Sequence, residues 1–299
     1  MIVLVTGASG FLGSRLVYRL LADGHVVTGV GRQALPTMFA GVNGLSWIQR
    51  DLSYEMLSSG ELAGVDTVFN LAGATLGAGQ DEHLFCLTNE ATTIGLLKGC
   101  AGRVKRVIHA SSQVVYGNVD QFSISEDFTV NGFDSAYACS KVNAENWLRW
   151  FQYKNGGMYV ALRFCGFIEG GGAIDYMIDQ AIHDKPIELF SNGQICRDYL
   201  PVEKAIESLV AASAFVGNDG FHAFNIGSGQ AITTLELANM VCTEIGSASE
   251  IVPLDKPAAR ANFVFDITKA RSEIGFEPGS LAEAVKVYVR DKAKGLVNV

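Results

Sequence analysis

Residues 2–6, Ile-Val-Leu-Val-Thr, run straight into Gly7-Ala8-Ser9-Gly10-Phe11-Leu12-Gly13, and a helical repeat of leucines begins at once. No other stretch restricts the fold as much. A short apolar, β-branched run bounded by glycine reads as a buried strand. Leu12, Leu16 and Leu20 recur every four residues with Val17 and Leu21 beside them, the pattern of an amphipathic helix. Gly24 follows where a helix end takes a left-handed residue. The three glycines permit a tight turn, close approach of backbone N–H groups to an anion, and close packing of helix on strand. The helix N-terminus then faces that anion with partial positive charge.

The same rhythm repeats along the chain. Strands are expected at His25–Val30, Leu45–Gln49, Asp66–Asn70, Val104–Ala110, Met158–Phe164 and His222–Ile226, with helices at about 82–100 and 136–153 among the segments between. Alternation of this kind implies right-handed crossovers and an α/β, Rossmann-type, doubly wound parallel sheet. Hydrophobic residues at 48% against 18% charged exclude disorder, and strands apolar on both faces explain the mean hydropathy of +0.22. No apolar run is long enough to span a bilayer. After residue 165 the pattern loosens: Gly170-Gly171-Gly172 and five of the six prolines fall there. We therefore expect a dinucleotide-binding domain over 1–165 and a smaller, irregular C-terminal substrate lobe over 166–299, with 201–227 returning to the first domain.

A net charge of −8 argues against nucleic-acid and anionic-membrane binding. Six scattered cysteines without a C-x-x-C spacing predict reduced thiols in a cytoplasm, and neither they nor the five histidines suggest a metal site. The opening residues show no signal peptide.

In the wound context the glycine loop predicts dinucleotide binding through Gly7, Gly10, Phe11, Leu12 and Gly13. In such folds a carboxylate at the end of the second strand usually takes the adenosine ribose hydroxyls. This chain reads Gly29-Val30-Gly31-Arg32 there. Nothing repels a 2′-phosphate and Arg32 can pair with one, so NADP(H) is expected; the alternative is NAD(H) with Arg32 stacked over adenine. Asp51 and Leu52 are placed to hold the adenine edge, and Leu71, Ala72 and Gly73 to line the inner side of the cofactor.

Tyr137-Ala138-Cys139-Ser140-Lys141 puts a phenol and an ammonium four residues apart, on one helical face. A nearby cation draws a phenol's pKa toward neutrality, so that it can protonate the alkoxide formed when hydride reaches a ketone. Spacing alone is weak, because Tyr288 and Lys292 repeat it; that second pair is expected at the surface. Tyr137, however, follows Ser111-Ser112-Gln113-Val114-Val115-Tyr116-Gly117 at a strand end, where Ser112 can hydrogen-bond the same carbonyl oxygen.

Taken in order, Thr6–Gly13, Asn70–Gly73, Ser111–Gly117 and Tyr137–Lys141 resemble the extended short-chain dehydrogenase/reductase family of nucleotide-sugar epimerases, dehydratases and 4-keto reductases. The resemblance implies a catalytic set of Ser112, Tyr137 and Lys141, the last two also touching cofactor, with Phe164 on the cofactor and Thr75 and Gln113 near substrate. It also implies that Arg197, in Cys196-Arg197-Asp198-Tyr199, and Lys256 with Arg260 contact the nucleotide diphosphate.

Two departures narrow the choice within the family. Gln113 and Val114 stand where the dehydratases carry an Asp-Glu pair, and neither transfers a proton. In Leu162-Arg163-Phe164-Cys165-Gly166, a glycine replaces the family's asparagine. The expected activity is NADPH-dependent reduction of a nucleotide-diphosphate 4-keto-6-deoxy sugar; the alternative is an NAD-dependent 4-epimerase. The resemblance further implies a homodimer paired through the helices at 82–100 and 136–153.

Overall fold

The computed structural model describes residues 1–75 and 81–296. Strand β1 (Ile2–Thr6) leads into helix α1 (Phe11–Ala22), followed by β2 (Val26–Gly31), β3 (Leu45–Gln49) and β4 (Thr67–Asn70). Helices α2 (Glu82–Phe85) and α3 (Thr92–Cys100) precede β5 (Arg106–Ser112) and β6 (Gln121–Ile124). The long helix α4 (Ala136–Asn155) then leads to β7 (Met158–Phe164), β8 (Gly166–Phe167), α5 (Ala173–Ile182) and β9 (Ile187–Leu189). Short strands β10 (Cys196–Arg197) and β11 (Tyr199–Leu200) run into α6 (Val202–Ser213), β12 (Gly220–Ile226) and β13 (Ile232–Thr233). The chain finishes with α7 (Thr234–Ile245), β14 (Ile251–Pro253), β15 (Phe263–Phe265), α8 (Thr268–Ile274) and α9 (Leu281–Ala293).

Seven strands form one parallel sheet in the order β12-β7-β5-β4-β1-β2-β3. The chain winds outward from β1 through β2 and β3, then returns to the other side of β1 with β4. The crevice above the C-terminal ends of β1 and β4 is therefore the topological switch point, where sheets of this kind bind ligands. Strand β4 is buried at all four positions and β7 at all seven. Such all-round burial explains the unbroken apolar runs in the sequence.

Helix α1 shows the periodicity at work. Gly13, Leu16, Val17 and Leu20 are its buried face, with Leu12 and Leu21 packed partly against the same core. Gly24 (φ +79°) closes the turn after it in the left-handed region. Among the described residues the six cysteines are unpaired, and no helix is long and apolar enough to cross a membrane.

Three sequence expectations shift. The strand expected at 104–110 starts at Arg106 and reaches Ser112, because the N–H groups of Arg103 and Val104 are turned back onto Cys100. The helix expected over 82–100 is broken by a π-helical turn at Cys86–Ala91. Tyr288 and Lys292 are not a surface pair: Tyr288 is buried, and both side chains bind Asp175, itself buried on α5. They tie α9 to α5, which period counting along one helix has no means of revealing.

Candidate active site

The phosphate loop is built by geometry that only glycine tolerates. Gly7 has φ +62°, and a Cβ there would stand 2.8 Å from the backbone of Leu71 and Ala72. A Cβ at Gly13 would overlap the Gly7 carbonyl, so only glycine fits where helix α1 packs against the loop. Gly10 caps α1 without any side-chain hydrogen bond, which leaves the first N–H groups of the helix directed at the crevice.

These elements enclose a cleft of about 650 Å³. Its wall includes Gly7, Gly10, Arg32, Asp51, Leu52, Leu71, Ala72, Gly73 and Thr75 of the expected site residues. Phe11, Leu12, Gly13 and Phe164 are not on this wall, and Ser112, Gln113, Tyr137 and Lys141 belong to the adjoining end of β5 and to α4. The glycine cradle and the free helix N-terminus fit a dinucleotide.

Arg32 is exposed at the far end of the cleft, and among the described residues no carboxylate pairs with it. A second cation that sequence reasoning missed, Arg50, also lines the cleft, but it is neutralised by Glu61 at 2.8 Å and donates to the Met56 carbonyl. Gly31 has a steric cause: a Cβ there would lie 2.7 Å from the Trp47 ring, which also covers Gly29 at 2.7 Å. An acidic side chain at position 31 therefore collides with Trp47.

Below the cleft floor lies a polar network. Thr6 Oγ1 receives the N–H groups of Leu71 and Ala72 and donates to Asn70 Oδ1 at 2.9 Å. Asn70 in turn donates to Thr93 and faces His109 Nδ1. Asn89, buried in the π-helical turn, accepts the Ala74 N–H and donates to Ser140 at 2.8 Å. A Cβ at Gly73 would stand 2.7 Å from Asn89 Oδ1 and 3.6 Å from Lys141 Nζ. The glycine thus lets the cofactor-side loop close on α4. Asn89 was missed in the sequence; its only signal was a poor helix former inside a helical stretch, and π turns of this kind often mark functional sites.

Ser112 is the last residue of β5, and its register partner on β7 is Phe164. Ser135 caps α4 through the Ala138 N–H, which fixes the first turn carrying Tyr137. Tyr137 is buried, its ring 5.5 Å from that of Phe85. Burial raises the Tyr137 pKa above the usual phenol value, while a hydrogen bond with Ser112 acts the other way. Lys141 Nζ donates to the Ala110 carbonyl at 2.9 Å and lies 6.0 Å from the Tyr137 ring centroid. Burial brings Lys141 itself down to about 8, with the charge of Glu145 opposing that. The four-residue spacing predicts a cation that lowers the phenol; in this structure desolvation dominates both groups.

Of the residues expected at the diphosphate, Arg197 is half-buried, donates to the Ala261 carbonyl at 2.8 Å and has no carboxylate partner among the described residues. Burial lowers its pKa, and the nearby Arg260 charge adds to that shift. Arg260 pairs with Asp134 at 2.9 Å, whereas Lys256 is exposed on its turn. Gln113 has a sealed Oε1 with no partner. Arg197 therefore lies against the backbone next to Arg260, while the Lys256 side chain is exposed.

Residues 3–227 match the model of the NAD dependent epimerase/dehydratase family. The chain belongs to that family. It is accordingly an enzyme of the extended short-chain dehydrogenase/reductase type, as its four motifs imply. It is 30% identical to a UDP-glucose 4-epimerase of Mycolicibacterium smegmatis over 94% of this chain and 95% of that one. To a dTDP-4-dehydro-6-deoxyglucose reductase of Escherichia coli it is 25% identical, over 92% of each chain. A UDP-glucuronic acid 4-epimerase of Bacillus cereus, solved with UDP-glucuronic acid and NAD, superposes with a TM-score of 0.85 at 25% identity, covering 99% of this chain and 100% of that one.

Proposed function

We propose that the protein is an NADPH-dependent reductase of a nucleotide-diphosphate 4-keto-6-deoxy sugar. The observation that carries the cofactor choice is the guanidinium of Arg32, without a carboxylate partner among the described residues, beside a glycine that Trp47 keeps free of any carboxylate. The similarity to the reductase of Escherichia coli supports the substrate class. Gln113 and Val114 after Ser112 offer no acid or base for dehydration.

Bound in the cleft, NADPH would supply the hydride. Ser112 holds the carbonyl oxygen and polarises it. Tyr137 donates its phenolic proton to that oxygen as the new C–H bond forms, and solvent restores the proton to the phenolate. Lys141 stabilises the transient phenolate and stands where ribose hydroxyls can reach it. Arg197, with Arg260 released from Asp134, neutralises the diphosphate. The exposed Trp150 and Tyr153 on α4 supply apolar surface for the homodimer that accompanies this reading.

Arg32→Ala is expected to raise KM for NADPH by about 10- to 100-fold, the worth of a charge-assisted hydrogen bond, with KM for NADH unchanged. Equal effects on the two cofactors would show that Arg32 does not read the 2′-phosphate.

The pH profile gives a second test. Lys141 is charged below about 8 and neutral above it. If the cation supports proton donation by Tyr137, kcat/KM for reduction falls as pH rises through that value. A profile that stays flat from pH ~7 to ~9.5 would remove Lys141 from this role.

A 4-epimerase using the same side chains is the second reading, favoured by the Mycolicibacterium relative and by solved neighbours that hold NAD. Purified protein carrying NAD(H) and interconverting UDP-glucose and UDP-galactose without net cofactor consumption would establish it. Stoichiometric NADPH oxidation with a 4-keto sugar would establish the reductase.

A further inference from the structure

Gly166 and Tyr199 are register partners in the two-stranded pair β8–β11. A Cβ at position 166 would lie 3.3 Å from Tyr199 Cδ1 and 3.4 Å from Cε1. The phenol ring therefore occupies the space that a side chain at 166 would need. The ring packs on the cluster that includes Ile168. Its hydroxyl makes no hydrogen bond among the described residues, yet it is not one of the sealed, unpartnered atoms, so solvent reaches it.

The surroundings say what such a hydroxyl meets. Gly166 stands two residues beyond Phe164, the register partner of Ser112. On the other side Arg197 lies close enough for its charge to act on the Tyr199 phenol, and Arg197 in turn feels Arg260. Tyr199 thus packs on the strand that continues from the register partner of Ser112, within reach of the charge of Arg197.

We propose that Tyr199 is a specificity-determining residue, its hydroxyl donating a hydrogen bond to the hexose of the bound nucleotide sugar. The inference rests on the nucleotide-sugar reading above. Burial keeps the phenol protonated, with Arg197 acting in the opposite sense, so the group is a donor at neutral pH. Because the hydroxyl has no partner among the described residues, its removal is expected to leave the fold unchanged and to be felt by ligand.

The test is calorimetric titration of cofactor-loaded protein with UDP-glucose, UDP-glucuronic acid and dTDP-glucose, using the tightest of the three as probe and its free nucleoside diphosphate as control. Tyr199→Phe is expected to weaken the sugar nucleotide about 5- to 20-fold and the free diphosphate less than about 2-fold, with the thermal midpoint unchanged. Gly166→Ala, which must push the ring by a few tenths of an ångström, is expected to weaken the same probe by a smaller factor. Unchanged affinity in Tyr199→Phe, or equal loss for the free diphosphate, overturns the inference while leaving the nucleotide-sugar reading intact. Wild-type protein that binds none of the three sugars overturns both.

Discussion

Replacing Tyr137 with Phe is expected to lower turnover by about 10²- to 10⁴-fold, the range for loss of one general acid. Cofactor affinity and thermal stability should stay near wild type. The ring contact with Phe85 at 5.5 Å survives the change, so no cavity opens. What disappears is the phenolic hydroxyl, and with it the proton it would donate. In this structure desolvation holds the phenol protonated, which keeps the donor loaded until charge develops on the substrate oxygen. Fluorescence titration with NADPH and single-turnover kinetics on one preparation separate binding from chemistry. Turnover within about 3-fold of wild type would rule out Tyr137 as the donor.

Glu145→Ala should be the most damaging change to stability, costing about 3–5 kcal/mol. Glu145 and Arg163 are each 1% exposed, and they meet in a two-pronged pair at 3.0 and 2.7 Å. Ser111 adds a hydrogen bond to the same carboxylate at 2.6 Å, and Arg163 also donates to Tyr116, which donates on to Asn225. Removing the carboxylate leaves a sealed guanidinium without a counter-charge. Glu145→Gln keeps the shape and some of the hydrogen bonds and should lose less. The pair also couples strand β7 to helix α4, so turnover should fall with stability in Glu145→Ala. Denaturant unfolding of both variants checks this, and a loss under about 1 kcal/mol for the alanine variant would show that the pair is replaceable.

Arg163 illustrates how far the linear chain could be read. It was legible as part of a family stretch next to Phe164, but its partner lies 18 residues earlier, on a helix packed against the sheet face. Ser111 and Ser112 are equally alike in sequence. Strand alternation sends the first to Glu145 under the sheet and leaves the second at the edge beside Tyr137. Gly31 was readable as the lack of a carboxylate, whereas the ring that keeps it a glycine, Trp47, sits on a neighbouring strand. Tyr288 and Lys292 share the spacing of Tyr137 and Lys141 and do unrelated work, tying α9 to Asp175.

The linear chain by itself determined the strand-and-helix alternation, the phosphate loop and the placing of Tyr137 and Lys141 one helical turn apart. Those features depend on local periods and on residues close in number, where backbone geometry follows from the residue types present. Tertiary structure alone decided which titratable groups are desolvated, which cations are already paired and which remain free. Arg50 and Arg32 share one cleft, yet among the described residues a carboxylate pairs with Arg50 and none with Arg32. Electrostatic energies depend on distance and burial, and folding sets both by bringing together segments that have no fixed separation along the chain.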